Sequence, residues 1–548
     1  MSNFFNSLID QLKIKHANHQ SKTIGLSSII GLVVTVLMFL FFEYTALLPI
    51  NLRNPSFVLM LSFLLVVFNV IRSVLSLTFD GLSKVSVIAV IVMVVYVFGG
   101  QFISSEFFNA SAYQAQLHLD VNANFYEDNP VVNYQSIPVV DKDSAQRLGD
   151  RKMGEIVDYV SQFEVDNDYA QINYNDKPYR VTTISYSDLI KWVTNHSNVL
   201  PAYIRVDMVT QESEVVRLEK PMKYSHSDLF FRNISRYIRT KYPTVMFETP
   251  TFEIDDQGHP YWIAPVYHYE IGLFGGKDIC AAITVDAVTG EHHYYDVKDV
   301  PQWIDRIYSS NLLLNQLDNW GLYKNGYLNT LFSQKGVLTA TDGYNYIALN
   351  DDVYLYTGLT SVSSDESNVG FALINMRTKE AKYYEISGAE EYSAMSSAEG
   401  KVQNLQYRAT FPILVNVGGK PTYFLSLKDG AGLVKQYAFV SVENYQIVGV
   451  GDSVAKAEKQ YYELLEENGQ LGEAGVSAQI SGMISDISSA VIEGYTQYYF
   501  RIDNSNIIYV APISVSDELP LLKVGMNVTV EYFDTEGTTK TISSLKVN

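Results

Sequence analysis

The chain has 548 residues, of which 47% are hydrophobic, and a formal net charge of −20 at pH 7. This charge is unevenly distributed, because six Lys and Arg residues and three acids precede residue 104, which leaves 34 basic and 57 acidic residues after it. We expect no nucleic acid partner.

Three apolar runs near the N-terminus predict membrane-spanning helices. Each is long enough to cross a hydrocarbon layer of about 30 Å as a helix. The second run continues past Arg72 to Phe79 if this guanidinium snorkels towards the headgroups. The runs are Thr23–Phe42, Asn54–Ile71 and Val85–Ser105. The first is too long for a cleavable signal peptide, so residues 23–105 are predicted to form an anchor in the lipid bilayer.

The short segments that flank these runs predict their orientation. Three lysines precede the first run, whereas only Arg53 lies between the first and the second. Because Lys and Arg are enriched in cytoplasmic loops, residues 1–22 are predicted to be a cytoplasmic tail and residues 106–548 to be extracytoplasmic. One cysteine, Cys280, excludes an internal disulfide framework and favours a bacterial cell membrane over an animal one.

A short motif recurs in the outer region. Val206–Glu212 and Val285–Glu291 share five of seven residues, and Ile374–Glu380 retains the spacing Thr-x-Glu. Each copy is typical of a strand that enters a tight turn, and in the second copy Gly290 permits a positive φ while Asp286 and Thr289 can bond to nearby backbone. Such internal repeats indicate a tandem array of related modules.

Hairpins with polar turns precede these motifs, as at Gly258–Trp262 and Gly419–Tyr423, and amphipathic helices precede the hairpins. The helix of the first unit is predicted to start at an Asp143 cap, and that of the second at Ser225 or Ser227 with Leu229 and Phe230 on its apolar face. The predicted units are 143–218, 222–298, 320–386 and 387–450, with a connecting segment at 106–142 and a connector at 299–319.

The fourth unit is expected to end in one strand, Phe439 to Val448. A charged stretch at 453–469 is typical of a linker helix. Five strand-like runs follow within residues 476–548 and are typical of a small β-barrel, with an immunoglobulin-like module as the alternative.

The succession of helix, hairpin and closing Val-Asp-x-x-Thr-Gly-Glu resembles PepSY-type modules, most clearly at Val285–Glu291 and less so in the third and fourth units. The C-terminal region resembles an OB-type barrel, and the whole chain is similar to multi-pass membrane proteins of Gram-positive bacteria. The resemblance implies small noncatalytic α+β domains that inhibit or regulate peptidases or cell-wall enzymes. The predicted fold class is therefore an α-helical transmembrane anchor of three spans, an α+β ectodomain of repeated helix and antiparallel-sheet units, and a C-terminal all-β OB-like barrel.

Candidate sites are few. Arg232, Arg236 and Arg239 are predicted to share one helix face, where they could bind an anionic partner, although a solvated face with local salt bridges is the plainer interpretation. Ile271–Lys277 is rich in glycine but lacks the spacing of a phosphate loop, so it is interpreted as a connection between strands. No catalytic residue, cofactor or metal site is predicted.

Three functions remain open from the sequence. The leading one is a noncatalytic scaffold or regulator that binds an extracytoplasmic protein, such as a peptidase or cell-wall enzyme. The second is a cell-surface receptor or sensor for an anionic wall polymer or a small ligand. The third is a hydrolase with a dispersed site, which needs a deep polar pocket that contains acids with perturbed pKa values.

Overall fold

A computed structural model describes residues 25–548, except 78, 130–136, 157–160, 198, 350, 362–366, 471–476, 493–494, 504, 517 and 534–538. The three apolar runs form helices that are long and apolar enough to cross a membrane, Gly25–Ala46, Pro55–Ser76 and Gly81–Ile103, which we call spans 1, 2 and 3. Asn54 and Asp80 cap spans 2 and 3 with their side-chain oxygens. The predicted cytoplasmic tail, 1–22, lies outside the described residues.

Arg72 links all three spans. Its guanidinium forms an ion pair with Asp80, donates from Nε to Ser28 Oγ at 2.8 Å and donates from Nη1 to Ser83 Oγ at 3.0 Å. The sequence analysis extended the second run past Arg72 on the condition that its guanidinium snorkels towards the headgroups; in the structure 4% of this side chain is exposed. A carboxylate and two hydroxyls satisfy the guanidinium, which makes burial of this charge tolerable.

The described residues divide into two compact units, and the first contains the spans. The first unit comprises the residues up to Gln116, Lys223–Pro250 and Trp262–Val300. Beyond span 3 it holds the helix Glu106–Gln114, and its part of the second module contains the helix Ile234–Lys241. The antiparallel strands of this module are Pro260–Ile271, Gly275–Asp286 and His292–Asp296, with Gly275–Asp286 in the middle.

The helix of the second module starts later than predicted. Asn233, not Ser225 or Ser227, is its N-cap, and its side chain accepts a hydrogen bond from the Arg236 amide. Phe230–Arg232 instead forms a separate 3₁₀ turn, in which Phe230 has a φ of 53°. Leu229 and Phe230 were predicted on the buried face, but they are 37% and 55% exposed. Because Phe230 leaves the right-handed region, the helical periodicity cannot extend across it.

The second unit comprises Leu117–Met222, Thr251–Tyr261 and Pro301–Asn548. Its first module packs the helix Lys142–Gly154 on a five-stranded antiparallel sheet. The N-cap of this helix is Asp141 rather than the predicted Asp143. The strands are Phe163–Val165, Ala170–Tyr174, Lys177–Tyr186, Leu200–Asp207 and Ser213–Met222, and a short helix, Leu189–Asn195, precedes the fourth.

The third module begins earlier than the sequence indicated. Its helix, Ser310–Leu322, begins inside the predicted connector 299–319, and it buries Leu313 and Leu317 completely. A second short helix, Tyr327–Leu331, follows, and the main strands are Leu338–Ala340, Asn345–Leu349, Asp352–Ser361, Ser367–Asn375 and Ala381–Tyr384. Short strands Leu119–Asp120 and Gly388–Ala389 complete the sheet, and Leu119–Asp120 runs parallel to Ala381–Tyr384.

The predicted connecting segment 106–142 is therefore divided: residues 106–116 belong to the first unit, and the described residues of 117–142 belong to the folded second unit. Its helix Phe125–Asp128 ends at a carboxylate that lies 2.7 Å from Lys382 Nζ, and Val139 donates its amide to Met208 O at 2.7 Å. Asp141 lies 2.5 Å from Lys428 Nζ in the fourth module. These contacts connect the first, third and fourth modules.

The fourth module ends differently from the prediction of one strand over 439–448. Val434–Ser441 and Val448–Gly451 are separate antiparallel strands, because the chain turns at Asn444, whose amide donates to Ser441 Oγ. The helix of this module is Glu391–Lys401. Its other strands are Arg408–Ala409, Ile413–Val417 and Lys420–Lys428.

The helix Val454–Glu467 packs on the fourth module, although the sequence indicated a linker. Its Tyr461 is fully buried, stacks on Phe439 and shares a 3.0 Å hydrogen bond with Thr422. Gly449 permits this approach, since a Cβ there would lie 2.4 Å from the Tyr461 amide nitrogen. The amphipathic pattern of the helix thus reflects a packed face.

Residues after 476 form a closed five-stranded barrel. The strands are Ser477–Ile492, Tyr495–Ile502, Ile508–Pro512, Asn527–Phe533 and Thr539–Val547. The long first strand pairs with both the second and the fourth, while the third and fifth run parallel and close the barrel. Its core includes the fully or almost fully buried Ile484, Phe500 and Tyr509.

The three recognisable copies of the repeated motif have the same turn geometry. Asp207, Asp286 and Asn375 each accept hydrogen bonds from the amides two and three residues later. The residue before the glutamate has a positive φ in every copy: 63° at Gln211, 82° at Gly290 and 66° at Lys379. Glycine is therefore not required at this position, since a side-chain oxygen at the first turn residue stabilises the turn without it.

Candidate functional site

The first candidate site is the junction between span 3 and the second module, and Ser104 is its centre. This residue directly follows span 3 and is 1% exposed. Its Oγ donates to Gly100 O at 2.6 Å and accepts from the amides of Leu273 and Phe274, at 2.8 and 3.2 Å. One hydroxyl therefore satisfies two backbone amides of the turn that follows strand Pro260–Ile271.

Glycines allow the turn and the helix to approach each other closely. A Cβ at Gly100 would lie 2.7 Å from the Phe274 ring, and a Cβ at Gly272 would lie 2.3 Å from Ser104 Oγ. Tyr113 closes the other side, since its hydroxyl donates to Ser104 O at 2.8 Å and accepts from the Gly276 amide at 3.2 Å. The glycine-rich run 271–277 is thus a connection between strands, as predicted, and the junction explains its composition.

Arg239 fastens the same module to the loop between spans 1 and 2. It is 8% exposed and donates hydrogen bonds to the carbonyls of Leu47, Tyr242 and Val245, at 2.9, 3.1 and 2.6 Å. Burial lowers the pKa of this guanidinium to about 10, which leaves it charged at neutral pH. Nearby, Ile50 donates its amide to Pro243 O at 2.8 Å.

Replacement of Arg239 by Met should loosen this loop from the module. The variant loses three hydrogen bonds from a charged donor and leaves carbonyls without their partner, at a cost of about 2–4 kcal/mol. We expect faster hydrogen exchange at the Ile50 amide, measured on the full-length protein in lipid nanodiscs. Lys241→Met removes an exposed cation from the same helix and should leave this exchange unchanged. Equal exchange in both variants would show that Arg239 does not hold the loop.

The three predicted arginines are not equivalent in the structure. Arg236 lies 4.2 Å over the Tyr44 ring and, like Arg239, donates to backbone carbonyls of its own chain. Arg232 lies in the 3₁₀ turn rather than on the helix. Arg236 and Arg239 thus bond to backbone within the first unit, and binding of an external anion by this row stays a prediction.

A second candidate site is an open groove of about 550 Å³ on the first module of the second unit. The repeated turn forms one wall of it, and the end of helix Lys142–Gly154 forms another. Arg205 is central, with its guanidinium 2.8 Å from Glu214 and 5.0 and 5.2 Å from the rings of Tyr174 and Tyr179. Charged lining residues of both signs surround it, among them Arg151, Lys152, Asp207 and Glu212.

A third feature is a buried charged cluster in the second unit, which consists of Arg180, Glu253, Asp305, Arg306 and Tyr346. Glu253 Oε2 accepts from the Asp305 amide at 3.0 Å, and Asp305 Oδ2 accepts from the Asn173 amide at 2.7 Å. The Arg306 guanidinium lies 5.1 Å over the Tyr346 ring. Among the described residues, no carboxylate forms a salt bridge with either arginine.

Burial determines the protonation of this cluster. It raises the pKa of Glu253 to about 8, and burial together with neighbouring Glu253 raises the pKa of Asp305. It also lowers the pKa of Arg180 to about 10. The two carboxyl groups are 0% and 1% exposed, so no substrate reaches them in this conformation. Titration of such a cluster makes the stability of the fold depend on pH. Catalysis would require contact between substrate and the carboxyl groups, and their burial prevents this contact.

The cysteine and the paired histidines of the second module contact neighbouring residues of the fold. Burial raises the pKa of Cys280, whose Sγ lies 3.6 Å from Val266 O. Tyr242 Oη lies 2.9 Å from His292 Nδ1, whereas His293 lies beside Glu291. Within the described ranges, no three His, Cys, Asp or Glu side chains are grouped closely enough to hold a metal ion.

Local sequence patterns predicted neither the junction nor the buried cluster. The pair Gly99-Gly100 lies in the last turns of an apolar helix, and Ser104 follows that helix. Small residues at these positions indicate that another part of the chain packs closely against the helix end. Glu253 within the apolar strand Thr251–Ile254 was a signal for a buried acid.

Comparisons with protein-family models and with curated proteins give no match.

Proposed function

We propose that this chain is a noncatalytic, membrane-anchored scaffold or regulator that binds an extracytoplasmic protein, such as a peptidase or cell-wall enzyme. The observation that carries the proposal is the groove on the first module. It is open, polar and lined by charges of both signs, a character that suits an extended polypeptide with charged side chains better than a small apolar ligand.

The modules and the barrel support a binding role of this kind. The described residues contain repeated helix-and-sheet modules and a closed five-stranded barrel. We propose that the modules are of the PepSY type and that the barrel is of the OB type. With the orientation that the basic residues predict, the modules lie outside the cytosol. The buried acids are closed to substrate, which favours binding over hydrolysis.

Site-specific photocrosslinking in intact cells tests the proposal. A photoreactive residue at Glu212, which lines the groove, should give a discrete crosslinked product with one protein partner. The matched control is Glu380, the same turn position in the third module, which does not line this groove. Identical products from both positions, or none from Glu212, would contradict a partner site in the groove.

The receptor alternative makes a different prediction. If the arginine row binds an anionic wall polymer, the purified full-length protein should bind that polymer saturably, and changing Arg232 to Glu should weaken this binding. Arg232 is the most suitable position, because Arg236 and Arg239 hold the first unit together and their replacement would disturb its fold.

A further inference from the structure

An exposed apolar turn in the first unit lies close to the end of span 1. Leu229, Phe230 and Phe231 are consecutive and are 37%, 55% and 68% exposed. Soluble surfaces rarely present three adjacent large apolar side chains, and such groups usually mark a contact with a partner or a membrane. The contacts that hold this turn indicate which of the two it contacts.

Arg236 joins the turn to span 1. Its Nη1 donates to Phe230 O at 2.9 Å, and its Nη2 donates to Tyr44 O at 3.4 Å. Tyr44 lies two residues before the end of span 1, and its ring lies 4.2 Å under the same guanidinium. One side chain therefore contacts both the exposed turn and the last turn of a helix that crosses the membrane. Tyrosine at a helix end is typical of the interface between headgroups and acyl chains.

The turn is held in one conformation. The Ser225 amide donates to Arg232 O at 3.2 Å, and the Ile234 amide donates to Ser225 O at 3.0 Å. Phe230 keeps a φ of 53°, which is costly for an aromatic residue and persists only where the surrounding structure enforces it. Backbone strain that presents apolar side chains outwards is consistent with a binding role for this turn.

A second apolar group follows span 3. Phe107 and Phe108, in the helix Glu106–Gln114, are both 54% exposed, and Phe108 contacts Phe102 edge-on at 5.1 Å. Spans 1 and 3 have the same direction across the membrane, so their C-terminal ends emerge on the same face. Both apolar groups thus belong to the first unit and lie next to span ends on one side of the bilayer.

We propose that the turn Leu229–Phe231, together with Phe107 and Phe108, inserts into the interfacial layer of the leaflet in which spans 1 and 3 end. Insertion fixes the first unit against the lipid surface at two places besides its spans, one in the second module and one in the helix Glu106–Gln114. Removal of exposed apolar area from water favours it, as for other interfacial aromatic side chains.

Spin labels can measure the depth of these residues in the full-length protein in phospholipid nanodiscs. Cys280 is the only cysteine, so Cys280→Ser provides a background for single labels at Phe231→Cys and at Phe108→Cys. Phe41→Cys, exposed on span 1, provides the lipid reference, and Glu380→Cys, in a charged turn, provides the water reference. Collision rates with oxygen, which enriches in lipid, and with a water-soluble nickel chelate are compared at each site.

Labels at 231 and 108 should show an oxygen-to-chelate ratio several-fold above that at 380 and approaching that at 41. A ratio at both sites equal to that at 380 would overturn the proposal, because the groups would then face water. Low collision rates with both reagents would also overturn it, because the side chains would then be covered by protein. The nanodiscs contain no detergent and no added protein partner. The result is therefore independent of the scaffold proposal, which concerns partner binding at the groove on the first module.

Discussion

Replacing Ser104 with Ala should open the junction between span 3 and the second module. The variant removes the one acceptor shared by the Leu273 and Phe274 amides, and buried donors left without a partner cost about 1–3 kcal/mol each. A total of roughly 2–4 kcal/mol corresponds to hydrogen exchange at these two amides that is faster by about 30-fold or more. The measurement is hydrogen exchange by mass spectrometry on the full-length protein in nanodiscs.

Ser105 provides the matched control, because it is the next residue and its hydroxyl donates only to Phe102 O, in an exposed position. Ser105→Ala should change the exchange at residues 273 and 274 by no more than about 0.5 kcal/mol in opening free energy. If both serine variants exchange alike, Ser104 does not hold the junction, and the glycine contacts alone account for it.

The buried carboxyl pair should make the protein less stable as the pH rises. The folded pKa of Glu253 is about 8, above the usual value of a glutamic acid near 4.3, so the folded state retains a proton that the unfolded state releases between these values. Stability from this group is fully present below the unfolded pKa and is lost as the pH rises through the folded pKa. Each such group contributes a slope of up to about 1.4 kcal/mol per pH unit within that window.

Glu253→Gln tests this prediction, because the amide keeps the shape of the side chain and cannot titrate. Thermal unfolding of the wild-type protein should occur at lower temperature at about pH 8 than at about pH 5, and the variant should show a smaller decrease. Glu466→Gln alters an exposed carboxylate in helix Val454–Glu467 and should retain the wild-type dependence. A decrease of the same size in Glu253→Gln and in wild type would exclude Glu253 as the source.

Much of the architecture follows from local patterns. The spans follow from uninterrupted apolar runs, and the repeated turns follow from an Asp or Asn that accepts hydrogen bonds from the next amides. Boundaries were less predictable where tertiary contacts override local preference. Phe230 disrupts the helical pattern of the second module through a positive φ, and the helix Val454–Glu467 packs on a sheet whose glycines accommodate it.

The sequence by itself determined the three apolar helices and the repeated turns of the helix-and-sheet modules, because each is encoded within a few neighbouring residues. Only the tertiary structure revealed the junction and the buried cluster. Ser104 bonds to an amide 169 residues away, and Glu253 accepts from one 52 residues away. Hydrogen bonds between residues so far apart depend on how whole modules pack. Composition and periodicity predict local elements and do not predict that packing.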